Sequence, residues 1–164
     1  MAQITITFPD GSKKPFDSGV TAMDIAKSIS EGLARVAIAA KADDKLVDLS
    51  TPITKSCSIK ILTWKDPEGQ HVFRHSSAHL LAHAVKELFP YAKPTIGPVT
   101  EDGFYYDFDH DPFTPEDVEK IEKKMEEIAS RKLPVQRMSL TEKQAVELFN
   151  RYSPQLMASL VSRD

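Results

Sequence analysis

Short runs of alternating apolar and polar residues occupy the first 62 positions of the chain. Ile4, Ile6 and Phe8 alternate with polar residues and predict a β-strand, which a turn at residues 9–12 connects to a returning strand. The same alternation predicts later strands at residues 35–40, 46–49 and 56–62. Strands of this kind are typical of a sheet that covers a core with one face.

A single helical pattern interrupts these strands. Thr21 is a good N-cap, Asp24 lies in the first turn, and Gly32 is a typical residue just past a helix end, so we expect a helix over residues 22–31. The apolar face of this helix consists of Ala22, Ile25, Ala26 and Ile29. One helix across a small mixed sheet predicts a ubiquitin-like β-grasp domain at residues 1–62.

Linker-like residues separate this domain from a longer helical pattern. Residues 63–70 are mostly polar and include Pro and Gly, so we place the domain boundary there. From residue 72 onward, apolar residues recur at helical spacing until Pro90, which predicts a helix over residues 72–89. The predicted buried stripe of this helix consists of Ala78, Leu81, Ala82, Val85, Leu88 and Phe89.

A pair of strands is predicted beyond the long helix. Residues 95–99 and 103–109 have the composition of strands on either side of a turn. In the second strand, one face should carry Phe104, Tyr106 and Phe108, and the other face Tyr105, Asp107 and Asp109.

N-cap signals begin two later helices. Thr114 and Pro115 predict a helix to about residue 131, and the capping box of Thr141 and Gln144 opens another through about residue 151. A strand is expected between them, at residues 134–138. The apolar stripe of the first of these helices consists of Val118, Ile121, Met125 and Ile128. Helices with an antiparallel sheet predict a second α+β domain over residues 71–164.

Three of the five histidines lie within nine residues of the long predicted helix. His75, His79 and His83 are four residues apart, and a four-residue step advances only about 40° beyond a full helical turn. The three imidazoles therefore form one ridge, with His75 and His79 bordering the buried stripe and His83 turned further towards the polar side. Imidazole titrates near neutral pH and is the commonest metal ligand. We expect the chemistry of the chain at this ridge.

The spacing of the histidines leaves three interpretations open. Two histidines at i and i+4 can bind one zinc ion, but such a site needs a third protein ligand. Without a metal, a neutral imidazole can accept a proton from water while its neighbour orients a substrate. In the third interpretation the histidines only border the core. Candidates for a third zinc ligand are Asp107, Asp109, His110 and His83.

Other classes of site are disfavoured by the motifs that the sequence lacks. Ser76 is expected to be a cap or a group that hydrogen-bonds a substrate, because no Gly-x-Ser-x-Gly elbow surrounds it. Neither Gly-x-x-x-x-Gly-Lys-Ser/Thr nor Gly-x-Gly-x-x-Gly occurs, so nothing indicates a self-contained nucleotide site.

Composition and charge restrict the cellular location and the partners that we expect for the chain. The longest apolar run, residues 36–40, is too short to span a bilayer, and the first residues lack the pattern of a signal peptide. A single cysteine, Cys57, cannot form an internal disulfide, which agrees with a reducing compartment. We therefore expect a soluble, cytoplasmic protein with no membrane partner. With a net charge of −3, binding to RNA would need local patches such as Arg131, Lys132 and Arg137.

Taken together, these motifs resemble the N-terminal region of threonyl-tRNA synthetases over nearly the whole chain. Residues 6–12 and 23–26 are similar to the TGS domain that begins these enzymes. The sequence HSSAHLL at residues 75–81, followed by IGP at 96–98 and DGFYYD at 102–107, resembles the first half of their editing domain. Alanyl-tRNA synthetases share that domain.

The resemblance implies proofreading in protein biosynthesis, by hydrolysis of the ester in Ser-tRNA(Thr). His75 and His79 match the paired editing histidines of the family, and we expect His75 to position the substrate or the 3′-terminal ribose and His79 to activate water. Ser76, Tyr106 and Asp107 would contact the substrate or brace the pocket. The implied partners are tRNA(Thr), chiefly its aminoacylated 3′ end, and the rest of the synthetase.

The sequence also departs from the pattern of the family. In the family a Cys-x-x-x-His motif later in the same domain completes the pocket, and no such motif follows Asp109 here. The aminoacylation core, which would bind ATP and magnesium, and the anticodon-binding domain are absent from the sequence. We therefore expect a fragment or a shortened relative that does not aminoacylate, that edits weakly or not at all, and that holds no cofactor unless His75 and His79 bind zinc.

Two other functions compete with an incomplete editing region. In the first, the TGS domain and the acidic helical domain contact tRNA or a protein without any chemistry. In the second, the histidine ridge makes the chain a zinc-binding accessory protein.

Overall fold

The computed structural model of the chain describes residues 2–133 and 138–152. The chain divides into two compact units, Met1–Arg74 and His75–Asp164. The strands are β1 (Gln3–Thr7), β2 (Lys13–Asp17), β3 (Val20–Thr21), β4 (Ala39–Ala42), β5 (Lys45–Val47), β6 (Pro52–Ile53), β7 (Cys57–Leu62), β8 (Lys93–Pro94) and β9 (Phe108–Asp109). The helices are α1 (Ala22–Ile29), α2 (Glu31–Val36), α3 (Pro67–Leu88), α4 (Pro115–Ser130) and α5 (Glu142–Tyr152). Within the described residues, no helix is long and apolar enough to cross a membrane.

A five-stranded mixed sheet in the order β2-β1-β7-β4-β5 forms the framework of the first unit. β1 is antiparallel to β2 and parallel to β7, where Ile6 lies opposite Cys57. β4 is antiparallel to both of its neighbours, and β3 pairs separately with β6. The predicted β-grasp fold is confirmed.

Helix α1 supplies the other half of the core of this unit. Thr21 and Asp24 form a capping box, in which the Thr21 Oγ1 accepts from the Asp24 N–H and the Asp24 carboxylate accepts from the Thr21 N–H. Ile25 is completely buried, whereas Ile29, predicted on the same face, is 50% exposed. The buried cluster consists of Ile4, Ile6, Ala22, Ile25, Ala40, Ile53 and Ile59.

The segment after α1 differs from its prediction. Gly32 does not end a helix but lies within α2, because the Ser30 side chain accepts from the Leu33 N–H and caps a new helix there. Residues 35 and 36, predicted to begin a strand, belong to α2, and β4 starts only at Ala39. A second capping serine was the signal for this helix.

Asp43 and Asp44 connect β4 to β5 with positive φ angles of 45° and 66°. Two consecutive left-handed residues are typical of the tight turns that match the twist of a hairpin. The Asp43 Oδ1 also accepts from the backbone N–H of Ser58, which ties the turn to β7. Burial first, and then the charge of Asp43, raise the pKa of the partly buried Cys57 thiol.

Helix α3 begins at Pro67, five residues before its predicted start. The Asp66 carboxylate accepts from the Thr63 N–H, and the Gln70 N–H donates to the Asp66 carbonyl, so a turn leads directly into the helix. A Cβ atom at Gly69 would lie 2.1 Å from the Thr63 carbonyl oxygen, and only glycine permits this close approach. Residues predicted as linker therefore include the first turn of α3; the division into domains at residues 62 and 70 stays a prediction.

The second unit packs α3 and α4 around a small core. Its buried cluster consists of Ala84, Val85, Ala92, Ile121 and Ile128. Half-buried Leu80, Leu81, Leu88, Phe89, Phe108, Phe113 and Met125 pack against them. Val118, predicted in the stripe of α4, is 56% exposed, so this prediction was wrong. The buried stripe begins about one turn later, at Ile121.

Both predicted N-caps of the second unit are present. Thr114 and Asp117 form the capping box of α4, and the Thr141 N–H donates to the Gln144 Oε1 at the start of α5. Lys132 adopts a φ of 49°, a left-handed conformation common just past a helix end. The strand predicted at residues 134–138 lies outside the described residues except for Met138.

Candidate functional site

His75 and His79 are exposed and touch each other on α3. Their Nε2 atoms are 3.1 Å apart, their ring centroids are 4.7 Å apart, and the ring planes meet at 83°. Helical spacing brings the rings together, because residues four apart are neighbours on a helix surface. Ala78, on the neighbouring face of the helix, is buried, so the core fixes the helix that carries the pair.

The contact between the two rings restricts where the protons lie. A hydrogen bond between two Nε2 atoms requires one of them to carry the proton and the other to present a lone pair. In its neutral form, the donating ring has its one available lone pair on Nδ1. His75 and His79 therefore combine one N–H donor with one proton acceptor. These are the two groups that acid–base catalysis without a metal requires.

A groove of about 460 Å³ runs beside His79. Its walls come from α3, from the end of α4 and from the two residues Lys132 and Leu133. The α3 side presents Ser76, His79, Leu80 and His83, and the α4 side presents Ile128 and Ala129. Ser76, a predicted substrate contact, thus lies beside His79, while His75 is not among the lining residues. An apolar lining with a few polar groups is typical of small-molecule sites.

Tyr106 and Asp107 lie in the hairpin that was predicted after α3. The Asp107 N–H donates to the Ile96 carbonyl at 2.8 Å, and its carbonyl accepts from the Thr95 N–H at 2.9 Å. The pairing extends β8 and β9 and confirms that the two predicted segments lie side by side. The predicted alternation is present too, since Tyr106 is half-buried and Asp107 exposed.

The Tyr106 ring packs on a glycine. A Cβ atom at Gly97 would lie 2.2 Å from the Tyr106 Cδ2, so only glycine leaves room for the ring. Tyr106 also stacks on Phe108, with the centroids 5.0 Å apart. Among the described residues, the groove is lined by neither Tyr106 nor Asp107. These contacts give Tyr106 a bracing position in the hairpin, and its role towards a substrate stays a prediction.

An ion-pair network joins α3 to α4 next to the groove. The two Nη atoms of Arg131 donate to the two carboxylate oxygens of Glu87 at 2.7 and 2.9 Å, and Nη2 also reaches Glu127 at 2.6 Å. Hydrogen bonding to Arg131 lowers the pKa of Glu87 to about 2. Arg131 therefore neutralises two carboxylates, and it is a poor candidate for the RNA-binding patch predicted from the sequence; Arg137 lies outside the described residues.

The candidate zinc ligands are dispersed. Within residues 2–133 and 138–152, no group of three or more His, Cys, Asp or Glu side chains is placed to hold a metal ion. Asp109 pairs with Lys93 at 3.1 Å, and the His110 ring stacks on Phe113 with the centroids 4.7 Å apart. Neither residue thus joins the His75–His79 pair as a ligand.

Two features of this site were not anticipated from the sequence. The groove depends on Ile128 and Ala129 of α4 meeting α3, a tertiary contact without a local signal. Glu87 stands four residues after His83, and that spacing could have indicated a helical ion pair.

Comparisons with known proteins agree on the kind of region this is. A family model described as "TGS domain" matches residues 4–63. The threonine–tRNA ligase of Citrifermentans bemidjiense is 53% identical over 150 residues, which cover 91% of this chain and 24% of the relative. Those of Nitrosomonas eutropha and Coxiella burnetii are each 52% identical, covering 94% and 96% of this chain and 25% and 24% of the relative. The chain spans about a quarter of the length of these curated relatives.

Proposed function

We propose that this chain, which carries the TGS domain and the adjoining N-terminal region of a threonine–tRNA ligase, takes part in proofreading by hydrolysis of Ser-tRNA(Thr). The observation that carries the proposal is the contact of 3.1 Å between the Nε2 atoms of His75 and His79. This pair stands in the region that is similar to the ligases and offers a donor and an acceptor on one exposed surface.

A separate hydrolytic site has a physical reason. Threonine and serine differ by one methyl group, and a single methyl group allows a binding site to discriminate by only about 1–3 kcal/mol. Synthesis alone would therefore produce too much Ser-tRNA(Thr). A second site can admit the smaller serine and hydrolyse its ester. The overall preference for threonine is then the product of the preferences at the two sites.

The histidine pair can supply the proton transfers of this hydrolysis. A water molecule gives a proton to an imidazole nitrogen while its oxygen bonds to the ester carbonyl carbon. The bond from that carbon to the ribose oxygen then breaks, the ribose oxygen takes up a proton, and free serine leaves. In this proposal His79, which lines the groove beside Ser76, is the proton acceptor, and His75 holds the ribose end of the substrate.

Deacylation of Ser-tRNA(Thr) tests the proposal directly. Because the Cys-x-x-x-His motif of the family is missing, the rate should be low, but the chain should still release serine faster than the uncatalysed reaction. His79→Ala should reduce the rate to background, as expected for loss of a general base. His71→Ala is the matched control, because His71 is an exposed histidine on the same helix. Equal rates for the unmodified chain and His79→Ala would refute a hydrolytic role for the pair.

An exposed aromatic cluster favours a second candidate, RNA binding without chemistry. Trp64 and Phe73 are each about half exposed and meet edge to face at 5.3 Å, and the Arg74 guanidinium lies 5.7 Å from the Trp64 ring centre. Aromatic rings beside an arginine are typical of surfaces that stack nucleobases. Binding of tRNA(Thr) that survives the double substitution of His75 and His79 but is lost with Trp64→Ala would support this candidate.

A further inference from the structure

His83 lies in the wall of the groove and not on an unrelated surface. Its side chain is 44% exposed and lines the groove together with Ser76 and His79. Its Nε2 is 3.1 Å from the Glu87 Oε1. The sequence pattern turned His83 away from the other two histidines, whereas the structure places it at the groove that His79 shares.

Glu87 is held firmly by residues of another helix and its end. Arg131, which is 44 residues away in sequence, donates to both of its carboxylate oxygens, and the Lys124 Nζ lies 3.8 Å from Oε2. An ordinary pair at i and i+4 lacks this support, so both of its side chains remain free to turn. With a pKa of about 2, Glu87 is ionised at neutral pH and can only accept hydrogen bonds.

The ionised carboxylate selects the tautomer of His83. Because Glu87 can only accept, the His83 Nε2 must carry the proton of their hydrogen bond. A neutral imidazole with a proton on Nε2 has its lone pair on Nδ1. The carboxylate therefore leaves Nδ1 as the ring nitrogen that can accept from a ligand in the groove. In catalytic triads, too, a carboxylate that accepts from one ring nitrogen of a histidine fixes its tautomer and its orientation.

We propose that His83 is a substrate-binding residue whose Nδ1 accepts a hydrogen bond from a hydroxyl or ammonium group of an aminoacylated ribose, and that Glu87 is the positioning residue that holds it. The inference deepens the proposed function and rests on it. The groove suits such a ligand, since Leu80 and Ile128 supply apolar lining and its volume of about 460 Å³ lies in the range of small-molecule sites.

The tautomer of His83 is tested without any ligand. Two-dimensional ¹⁵N–¹H spectra of the chain labelled at histidine nitrogens should show His83 with its proton on Nε2. In Glu87→Ala the two tautomers should become mixed, whereas Glu87→Gln, whose side-chain oxygen still accepts, should retain the Nε2 proton. A predominance of the Nδ1-protonated form in the unmodified chain would overturn the proposal, whatever the function of the chain.

Ligand binding tests the acceptor itself. The probe is 3′-seryl-amino-3′-deoxyadenosine, an amide that cannot be hydrolysed as an ester, titrated by calorimetry. His83→Ala should weaken binding about tenfold, the usual cost of one lost hydrogen bond to a ligand. His83→Asn, which can place an oxygen near the position of Nδ1, should retain more affinity than His83→Gln. The matched control is again His71→Ala, with unchanged affinity.

The outcomes separate this inference from the proposed function. An unmodified chain that fails to bind the probe would refute the aminoacyl-ribose site and the role of His83 with it. A chain that binds the probe and loses affinity in His79→Ala but not in His83→Ala would leave the proposed function standing and overturn only the role of His83. Loss of affinity in Glu87→Ala with retention in Glu87→Gln would support Glu87 as the positioning residue.

Discussion

The two units of the chain build their cores from different material. In the first, branched side chains of the sheet and Ile25 of α1 fill the interior between a sheet and a helix. In the second, the buried cluster has five residues instead of seven, two of them the alanines Ala84 and Ala92, and ion pairs of Glu87 and Arg131 reinforce the contact of α3 with α4. The first unit thus relies on apolar volume, whereas the second combines a thin core with surface charges.

Within the second unit, the two sides of α3 have different roles, one in packing and the other in the candidate chemistry. The buried side of α3 fixes the helix through Ala78 and Val85, and its exposed side is left to His75, His79 and His83. A surface that contributes little to stability can carry polar groups that a core would exclude. The comparison therefore predicts that substitutions in the core of the first unit change mainly stability, and that those on the exposed side of α3 change mainly binding.

The largest expected effect is in the first core. Ile25→Ala removes a fully buried side chain and should lower the unfolding free energy of that unit by about 2 to 5 kcal/mol. Hydrogen exchange of the amides of β1 and β7 would measure the loss. If the amides of α4 were destabilised to the same degree, the two units would unfold together and the proposed contrast would fail.

The next effect tests packing in the second unit. Gly97→Ala places a Cβ atom against the Tyr106 ring and should cost about 1 to 3 kcal/mol, because the ring must move. Gly103→Ala is the control, since the nearest atom to its Cβ, the Thr100 Oγ1, is 4.0 Å away. Thermal unfolding followed by tyrosine fluorescence would rank the two variants. Equal shifts in Tm would disprove the packing role of Gly97.

A smaller, pH-dependent effect is expected for the ion pairs. Arg131 lowers the pKa of Glu87 from 4.5 to about 2, so the carboxylate stabilises the fold above pH 4.5 and loses this contribution as pH falls towards 2. Glu87→Gln should therefore lower Tm at pH 7 by less than Gly97→Ala does. The gap between variant and unmodified chain should close as pH falls from 4.5 to 2 in a circular dichroism series. A gap independent of pH would contradict the assignment.

The smallest effect is expected for Val118, which the sequence placed in the same stripe of α4 as Ile121. Val118 is exposed and Ile121 is buried. Val118→Ala should change the unfolding free energy by less than about 0.5 kcal/mol, whereas Ile121→Ala should lower it by about 2 to 5 kcal/mol. Urea denaturation of both variants gives the comparison. A large loss for Val118→Ala would mean that this side chain is covered in solution.

Sequence patterns predicted the β-grasp unit well because its signals are local. Alternation at Ile4, Ile6 and Phe8 and the capping box of Thr21 each depend on neighbours within a few residues. The missed elements are those decided by competition between adjacent signals. Gly32 was interpreted as a stop although Ser30 caps a new helix, and a short apolar segment from Arg35 was interpreted as a strand.

The candidate site was less accessible to sequence reasoning. Helical spacing was sufficient to bring the rings of His75 and His79 together. It could not reveal that the end of α4 forms the other wall of a groove, nor that Arg131 holds Glu87 from 44 residues away. Such contacts depend on how two helices pack, and the sequence of neither helix specifies that by itself.

The environment of Cys57 has a practical consequence for spectroscopy. Burial and the charge of Asp43 raise the pKa of this thiol, which is the only cysteine of the 164-residue chain. Only the thiolate reacts with maleimides, so Cys57 should be labelled slowly at neutral pH. A cysteine introduced at an exposed position such as Tyr91 could then receive a fluorophore selectively in the otherwise natural chain, and binding to RNA could be followed by fluorescence.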